Sequence, residues 1–188
     1  MRARDNPFST DRVLRVRYRL DGTTWPELMG RLAALNYRAA IVGPHGSGKT
    51  TLLEDVAPRI AALGYRVKTL LLNESHHSFE RDLLTRFYAE LHPRDIILFD
   101  GAEQLGTLAW QLFKFNTRRA AGLIITTHSP GRLATLIQCR TSPKLLGQIT
   151  CEILGSETTA PEIESLFTRN RGNLREALRE LYDVYAAL

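Results

Sequence analysis

The stretch Gly43-Pro44-His45-Gly46-Ser47-Gly48-Lys49-Thr50 leaves this chain few folds to choose from. It fits the pattern G-x-x-x-x-G-K-T. The apolar run Ala39-Ala40-Ile41-Val42 precedes it, and Thr51-Leu52-Leu53-Glu54-Asp55-Val56 continues as a helix. A strand that passes through a glycine-rich turn into a helix wraps backbone N–H groups around an anion, and the helix N-terminus adds partial positive charge. The pattern assigns Gly43, Pro44, His45, Gly46, Ser47, Gly48, Lys49, Thr50 and Thr51 to a nucleoside triphosphate. Lys49 is placed on the β- and γ-phosphates, and the Thr50 hydroxyl on Mg²⁺.

Such a loop needs a buried parallel sheet behind it, and the chain offers one. Val67 to Leu72, Ile96 to Phe99 and Gly122 to Thr127 are apolar runs of strand length. The run from Gln148 to Ile153 is read as a last strand, and 133–140 as a helix. Thr24-Trp25-Pro26-Glu27 forms a capping box with proline in the first turn, opening a helix toward Asn36. Pro58 is expected to kink the helix after the loop, and Gly64 to stop it. Residues 78–91 repeat Phe79, Leu83, Phe87 and Leu91 at helical spacing. A helix from Glu103 to about Arg119 is expected to turn Leu105, Leu108, Leu112 and Phe115 inward. Five strands interleaved with helices predict an α/β fold, a P-loop NTPase three-layer sandwich with a five-stranded, mostly parallel sheet and a short C-terminal helical lid.

The two ends differ in character. From Leu14 to Leu20 apolar residues alternate strictly with Arg15, Arg17 and Arg19. This reads as an edge strand guarded by charge, or as a basic ridge for nucleic acid or an acidic protein client. After Gly155 the pattern is helical only. A second capping box is read at Thr159-Ala160-Pro161-Glu162, and Leu174, Leu178, Leu181, Tyr182 and Tyr185 form one stripe. The expected division is a basic arm or strand over 1–24, a nucleotide-binding core over 25–155 and a lid-like segment over 156–188.

Phosphoryl transfer needs a metal carboxylate and an oriented nucleophile besides the phosphate loop. Ile96-Ile97-Leu98-Phe99-Asp100 ends a buried strand in an aspartate, so Asp100 joins Thr50 as a metal residue. Together these motifs resemble the additional-strand, catalytic-glutamate group of P-loop ATPases, and within it the AAA+ and STAND-type ATPases. The resemblance implies that the Gly122–Thr127 strand lies between the Asp100 strand and the loop strand. It implies a polar sensor at Thr127, with His128 next to it. Gly172-Asn173-Leu174-Arg175 is similar to the lid motif that directs an arginine, here Arg175, to the γ-phosphate. The group's glutamate directly after the aspartate is replaced by Gly101, so Glu103 is the candidate base, or else an acid suited to a helix start. Lys49, Asp100, Glu103, Thr127, His128 and Arg175 form the candidate catalytic set. His128 is also similar to the end-of-strand histidine of ABC ATPases, but that family's Ser-Gly-Gly signature is missing. An arginine finger, where one is used, comes from a neighbouring copy; Arg118, Arg119 and Arg140 are the candidates, and they would serve a homo-oligomer.

These motifs predict an ATP-binding, Mg²⁺-dependent ATPase whose nucleotide state moves a lid or partner. The competing readings are a small-molecule or nucleotide kinase and a non-hydrolysing, nucleotide-gated adaptor. At 188 residues and a net charge of +5, the chain has room for one sizeable domain with a surface that favours anions. It has no run of 18 apolar residues to span a membrane and no secretory leader pattern. Cys139 and Cys151 make no zinc pattern. The expectation is a cytoplasmic protein with free thiols. The pair His76 and His77 reads as solvated loop histidines rather than metal ligands.

Overall fold

The computed structural model describes residues 5–73, 78–155 and 160–187. The elements begin with α1 (Thr10–Val13), α2 (Trp25–Ala34), β1 (Arg38–Val42), α3 (Lys49–Ala62), β2 (Arg66–Leu71) and α4 (Arg81–Ala89). They continue with β3 (Asp95–Asp100), α5 (Thr107–Asn116), β4 (Gly122–Thr127), β5 (Thr135–Gln138), α6 (Pro143–Leu154), α7 (Ala160–Arg169) and α8 (Leu174–Ala186). Short 3₁₀ turns at Ala102–Gln104 and Thr117–Arg119 flank α5. The chain forms two compact units. One comprises Arg19–Gly43 and Leu52–Gln138; the other comprises Met1–Tyr18, Pro44–Thr51 and Cys139–Leu188.

The first unit holds the sheet, in the order β2-β3-β4-β1-β5 with every pair parallel. Its three inner strands are the continuous apolar runs, because a parallel strand covered on both faces has no polar side to show. β3 and β4 are buried along nearly their whole length. The strand carrying Asp100 is separated from β1 by β4, the additional-strand order. α2 opens with the capping box: Thr24 Oγ1 accepts from the Glu27 N–H, and the Glu27 carboxylate accepts from the Thr24 N–H at 2.8 Å. These bonds hold the Glu27 carboxyl below its ordinary range. The edge strand β5 is covered by Arg31, whose guanidinium donates to the Leu136 carbonyl. Arg38 likewise donates to the carbonyls of Thr117 and Ala120, tying β1 to the turn before β4.

The second unit is helical. Phe8 packs with Leu146, Ile163, Leu166, Leu174, Ala177 and Leu178. Asn6 closes it: its side-chain amide donates to the Tyr182 carbonyl at 2.8 Å and its side-chain oxygen accepts the Phe8 N–H at 2.9 Å. Glu180 accepts from Arg169 at 2.6 Å and Asn170 at 2.7 Å, fastening α8 to the end of α7.

Several expectations are corrected. The last strand and the helix before it change places. The region 133–140 contains β5, and Gln148 to Ile153 lie in α6. Helix α6 is capped at both ends: Ser142 Oγ accepts the Leu145 N–H, Pro143 follows, and Gly155 closes it at φ 69°. Leu146 and Thr150, one helical turn apart, are its buried face. Of the four residues expected inward after Glu103, Leu105 is buried, but the face of α5 itself is reversed. Trp110 and Phe113 are buried, whereas Leu108, Leu112 and Phe115 are exposed. The rings decide this, because Phe113 contacts Phe99 at 5.0 Å and Tyr88 at 6.1 Å between centroids. On α4, Leu84 rather than Leu83 packs on the core. As expected, Gly64 stops helix α3 at φ 82°, and the helix carries Pro58 within it to Ala62. No strand forms at 12–20: a turn of helix at Thr10–Val13 takes its start, and Arg15, Arg17 and Arg19 stay exposed between half-buried Val16, Tyr18 and Leu20. His76, His77 and Thr159 lie outside the described residues.

The reversed α5 face sets a stability test. Phe113→Ala should cost about 3–5 kcal/mol in urea unfolding, as loss of a buried ring does. Phe115→Ala should stay within about 0.5 kcal/mol. The opposite ranking would restore the sequence-derived face.

Candidate functional site

Two clusters carry the candidate residues, one in each unit. In the helical unit, the loop 44–51 turns on Gly46 at φ 66° and Gly48 at φ 82°. Both glycines are also held by close neighbours. A Cβ on Gly46 would lie 1.9 Å from Asn173 Oδ1 and 3.1 Å from the Arg175 backbone nitrogen. A Cβ on Gly48 would lie 3.1 Å from the Tyr18 ring. The structure thus brings the Gly172–Arg175 turn onto the glycine-rich loop. Asn173 is the N-cap of α8, its side-chain oxygen accepting the N–H groups of Arg175 and Glu176. Inside the loop, the Lys49 ammonium and the Ser47 hydroxyl both donate to the Pro44 carbonyl at 2.8 Å. Cys139 is buried here. Burial pushes its thiol up, against smaller opposing effects from a Tyr18 hydrogen bond and the Lys49 charge.

In the sheet unit, the carboxyl end of β3 is fixed from two sides. The Thr126 hydroxyl donates to Asp100 Oδ1 and accepts the Gly101 N–H at 2.8 Å. The Leu72 N–H donates to the Asp100 carbonyl at 3.0 Å. Gly101 sits at φ 82°, and a Cβ there would fall 2.1 Å from the Leu72 carbonyl oxygen. This excludes any side chain directly after the aspartate. The next carboxylate, Glu103, stands on the 3₁₀ turn with Oε1 3.0 Å from His128 Nε2. Its other oxygen is buried with no hydrogen-bond partner among the described residues. Arg132 donates to the Leu105 carbonyl at 2.5 Å and stacks at 5.2 Å over Trp110. Burial lowers the Arg132 pKa, and the nearby Glu103 charge opposes that shift.

The structure therefore joins Glu103 to His128, and Gly46 to the Asn173–Arg175 turn. It does not join Thr127 to Asp100, because the Thr127 hydroxyl donates to the Ser129 carbonyl at 2.9 Å. Successive side chains of a strand point to opposite faces, so only one residue of the Thr126-Thr127 pair can meet Asp100. That residue is Thr126, which no motif marks. Arg132 and Trp110 were also missed, and no local pattern marks them. Of the candidate fingers, Arg118, Arg119 and Arg140 are all exposed. No group of three or more His, Cys, Asp or Glu among the described residues makes a protein-only metal site. The Asp100 carboxylate and Thr50 hydroxyl are hard oxygen donors of the kind Mg²⁺ takes when phosphates complete its shell.

The sequence matches no protein-family model and no curated protein. Solved structures do match. The chain is similar to the Holliday junction branch migration motor RuvB of Thermotoga maritima, with 18% identity and a TM-score of 0.55, covering 90% of this chain and 64% of that one. A single-substitution variant of the same RuvB gives 19% and 0.54, covering 83% and 58%. AMPPCP-bound DnaA of Aquifex aeolicus gives 15% and 0.57, covering 85% and 61%. The chain thus spans less than two thirds of the length of these neighbours. Its fold is the P-loop NTPase fold they share, in the additional-strand order.

Gly101 gives a prediction. Gly101→Ala should lower unfolding free energy by at least about 3 kcal/mol, from strain at positive φ plus a backbone clash. Gly22→Ala, at φ 67° with nothing within 4 Å, should cost only about 1 kcal/mol. Equal costs in denaturant titration would remove the Leu72 clash from the explanation.

Proposed function

We propose that this chain is an AAA+-like ATPase, binding ATP on the 43–51 loop and hydrolysing it with a nucleotide-sensitive C-terminal lid. The observation that carries this reading is the contact of Gly46 with the Asn173–Arg175 turn. It gives the helical segment a direct way to feel the state of the phosphate loop. The AMPPCP bound by DnaA supports the same nucleotide class.

In this reading the backbone N–H groups of the loop, the Lys49 ammonium and the N-terminus of α3 hold the triphosphate. Lys49 then exchanges its bond to the Pro44 carbonyl for phosphate oxygens. Thr50 and Asp100 would be the residues to hold Mg²⁺, which would supply neutralisation of phosphate charge. Thr126 keeps the Asp100 carboxylate in one orientation. Glu103 orients the attacking water, with His128 fixing the carboxylate. Thr127 is kept as the polar sensor, and Arg175 at the start of α8 is the lid arginine. The segment after residue 156 acts as the lid together with α6.

A second reading is favoured by Gly101. With no side chain possible after Asp100, the base has shifted to Glu103, and a slow enzyme would serve as a nucleotide-gated switch. One pair of measurements separates the readings. Saturation with Mg-ATP at about a hundredfold over Kd should stabilise the protein by about 2.7 kcal/mol, a rise of roughly 5–10 °C in Tm. Lys49→Ala should abolish that rise, and a wild-type chain that shows none overturns nucleotide binding. Glu103→Gln should keep the rise while phosphate release, assayed without an acceptor, falls by roughly a hundredfold or more. Unchanged slow release in Glu103→Gln, with the thermal shift intact, decides for the switch.

A further inference from the structure

The α5 face that packing leaves outside the core is chemically uniform. Leu108, Leu112 and Phe115 are 75%, 56% and 58% exposed. They lie at i, i+4 and i+7, so they form one continuous ridge. Single exposed leucines need no explanation, but contiguous large apolar side chains on a soluble surface mark contact sites. Beside the ridge, Thr107, Gln111 and Lys114 line a cavity of about 290 Å³ with Trp110, Gly131 and Arg132.

Along α5 and the turn after it the charges have one sign. From Thr107 to Arg119 there is no carboxylate, and Lys114, Arg118 and Arg119 are all exposed. None of the three forms an ion pair among the described residues. The Arg118 guanidinium lies 4.0 Å over the Phe115 ring, which fixes a cation at the end of the ridge.

We propose that α5 is a docking surface for an acidic amphipathic helix of a partner protein. The partner's apolar residues, spaced three and four apart, lie along Leu108, Leu112 and Phe115, in the helix-in-groove manner. Its aspartates and glutamates, flanking that stripe, meet Lys114, Arg118 and Arg119. The complementarity is what selects this occupant. A second copy of the chain in a two-fold contact would bring together two faces that carry cations and no carboxylate. Single-stranded nucleic acid would find the cations, but two of the three ridge residues have no aromatic face on which a base can stack.

The test uses the full chain and a fluorescent helical peptide of about 18 residues, with leucines at i, i+4 and i+7 and glutamates on both flanks. Saturable binding is expected, and a control peptide with lysine in place of each glutamate should not bind. Leu112→Ser should weaken binding roughly tenfold or more. Arg118→Glu combined with Arg119→Glu should weaken it by a similar factor and remove its salt dependence. Both variants should keep the wild-type Tm, since the changed side chains are exposed. Equal binding of the lysine peptide overturns the proposal, as does full binding by Leu112→Ser. So does displacement of the peptide by oligothymidylate, or a wild-type dimer that Leu112→Ser dissociates.

Discussion

The chemistry of the sheet unit depends on how one buried strand leaves the sheet. β3 is apolar until Asp100, and the chain must then expose a carboxylate and turn at once. Gly101 makes the turn in a conformation open to few other residues, with the Leu72 carbonyl where a Cβ would be. Thr126 from the neighbouring strand binds both sides of the corner, accepting from the Gly101 N–H and donating to the Asp100 carboxylate. A single hydroxyl therefore satisfies a backbone donor and orients a charge. The position of Glu103 follows from this corner, since the 3₁₀ turn starts from Gly101 and carries Glu103 to His128. The sheet order puts β4 beside β3, and without that adjacency Thr126 has no aspartate to hold.

How much of this was legible in the sequence follows from the physics of each element. The inner strands were legible because burial on both faces forces an unbroken apolar run, and Ile96 to Phe99 can hardly be anything else. α2 was legible because Thr24 and Glu27 satisfy each other locally. The region 133–153 was misread because local preference and final state disagree there. Ile149, Thr150 and Ile153 are β-branched and look like strand residues, yet the caps at Ser142 and Gly155 and burial of Leu146 hold them in a helix. Thr135–Gln138 is only four residues long, too short to show a period. The face of α5 was misjudged by counting apolar residues, when the two largest rings, Trp110 and Phe113, fill the available volume.

The site divides in the same way. The phosphate loop is a contiguous motif, so its residues could be named outright. The pairings Glu103–His128 and Gly46–Asn173 join residues far apart in the chain, and only the folded arrangement reveals them. Thr126 shows what only the fold reveals: the strand's alternation decides which of two identical side chains faces the aspartate.

The bond between Asn6 and Tyr182 has a consequence for the order in which the protein is made. It closes the helical unit across nearly the whole chain, so that unit cannot be completed until the last helix has been synthesised. The sheet unit, by contrast, contains nothing beyond Gln138. A nascent chain therefore carries a finished set of strands, and Tyr18 beside Gly48, while Asn173 and Arg175, the partners of Gly46, are still unmade. Closing so long a loop costs only slightly more entropy than closing a short one, but it delays the contact. The phosphate loop gains Asn173 and Arg175 only after the whole sheet unit has been made.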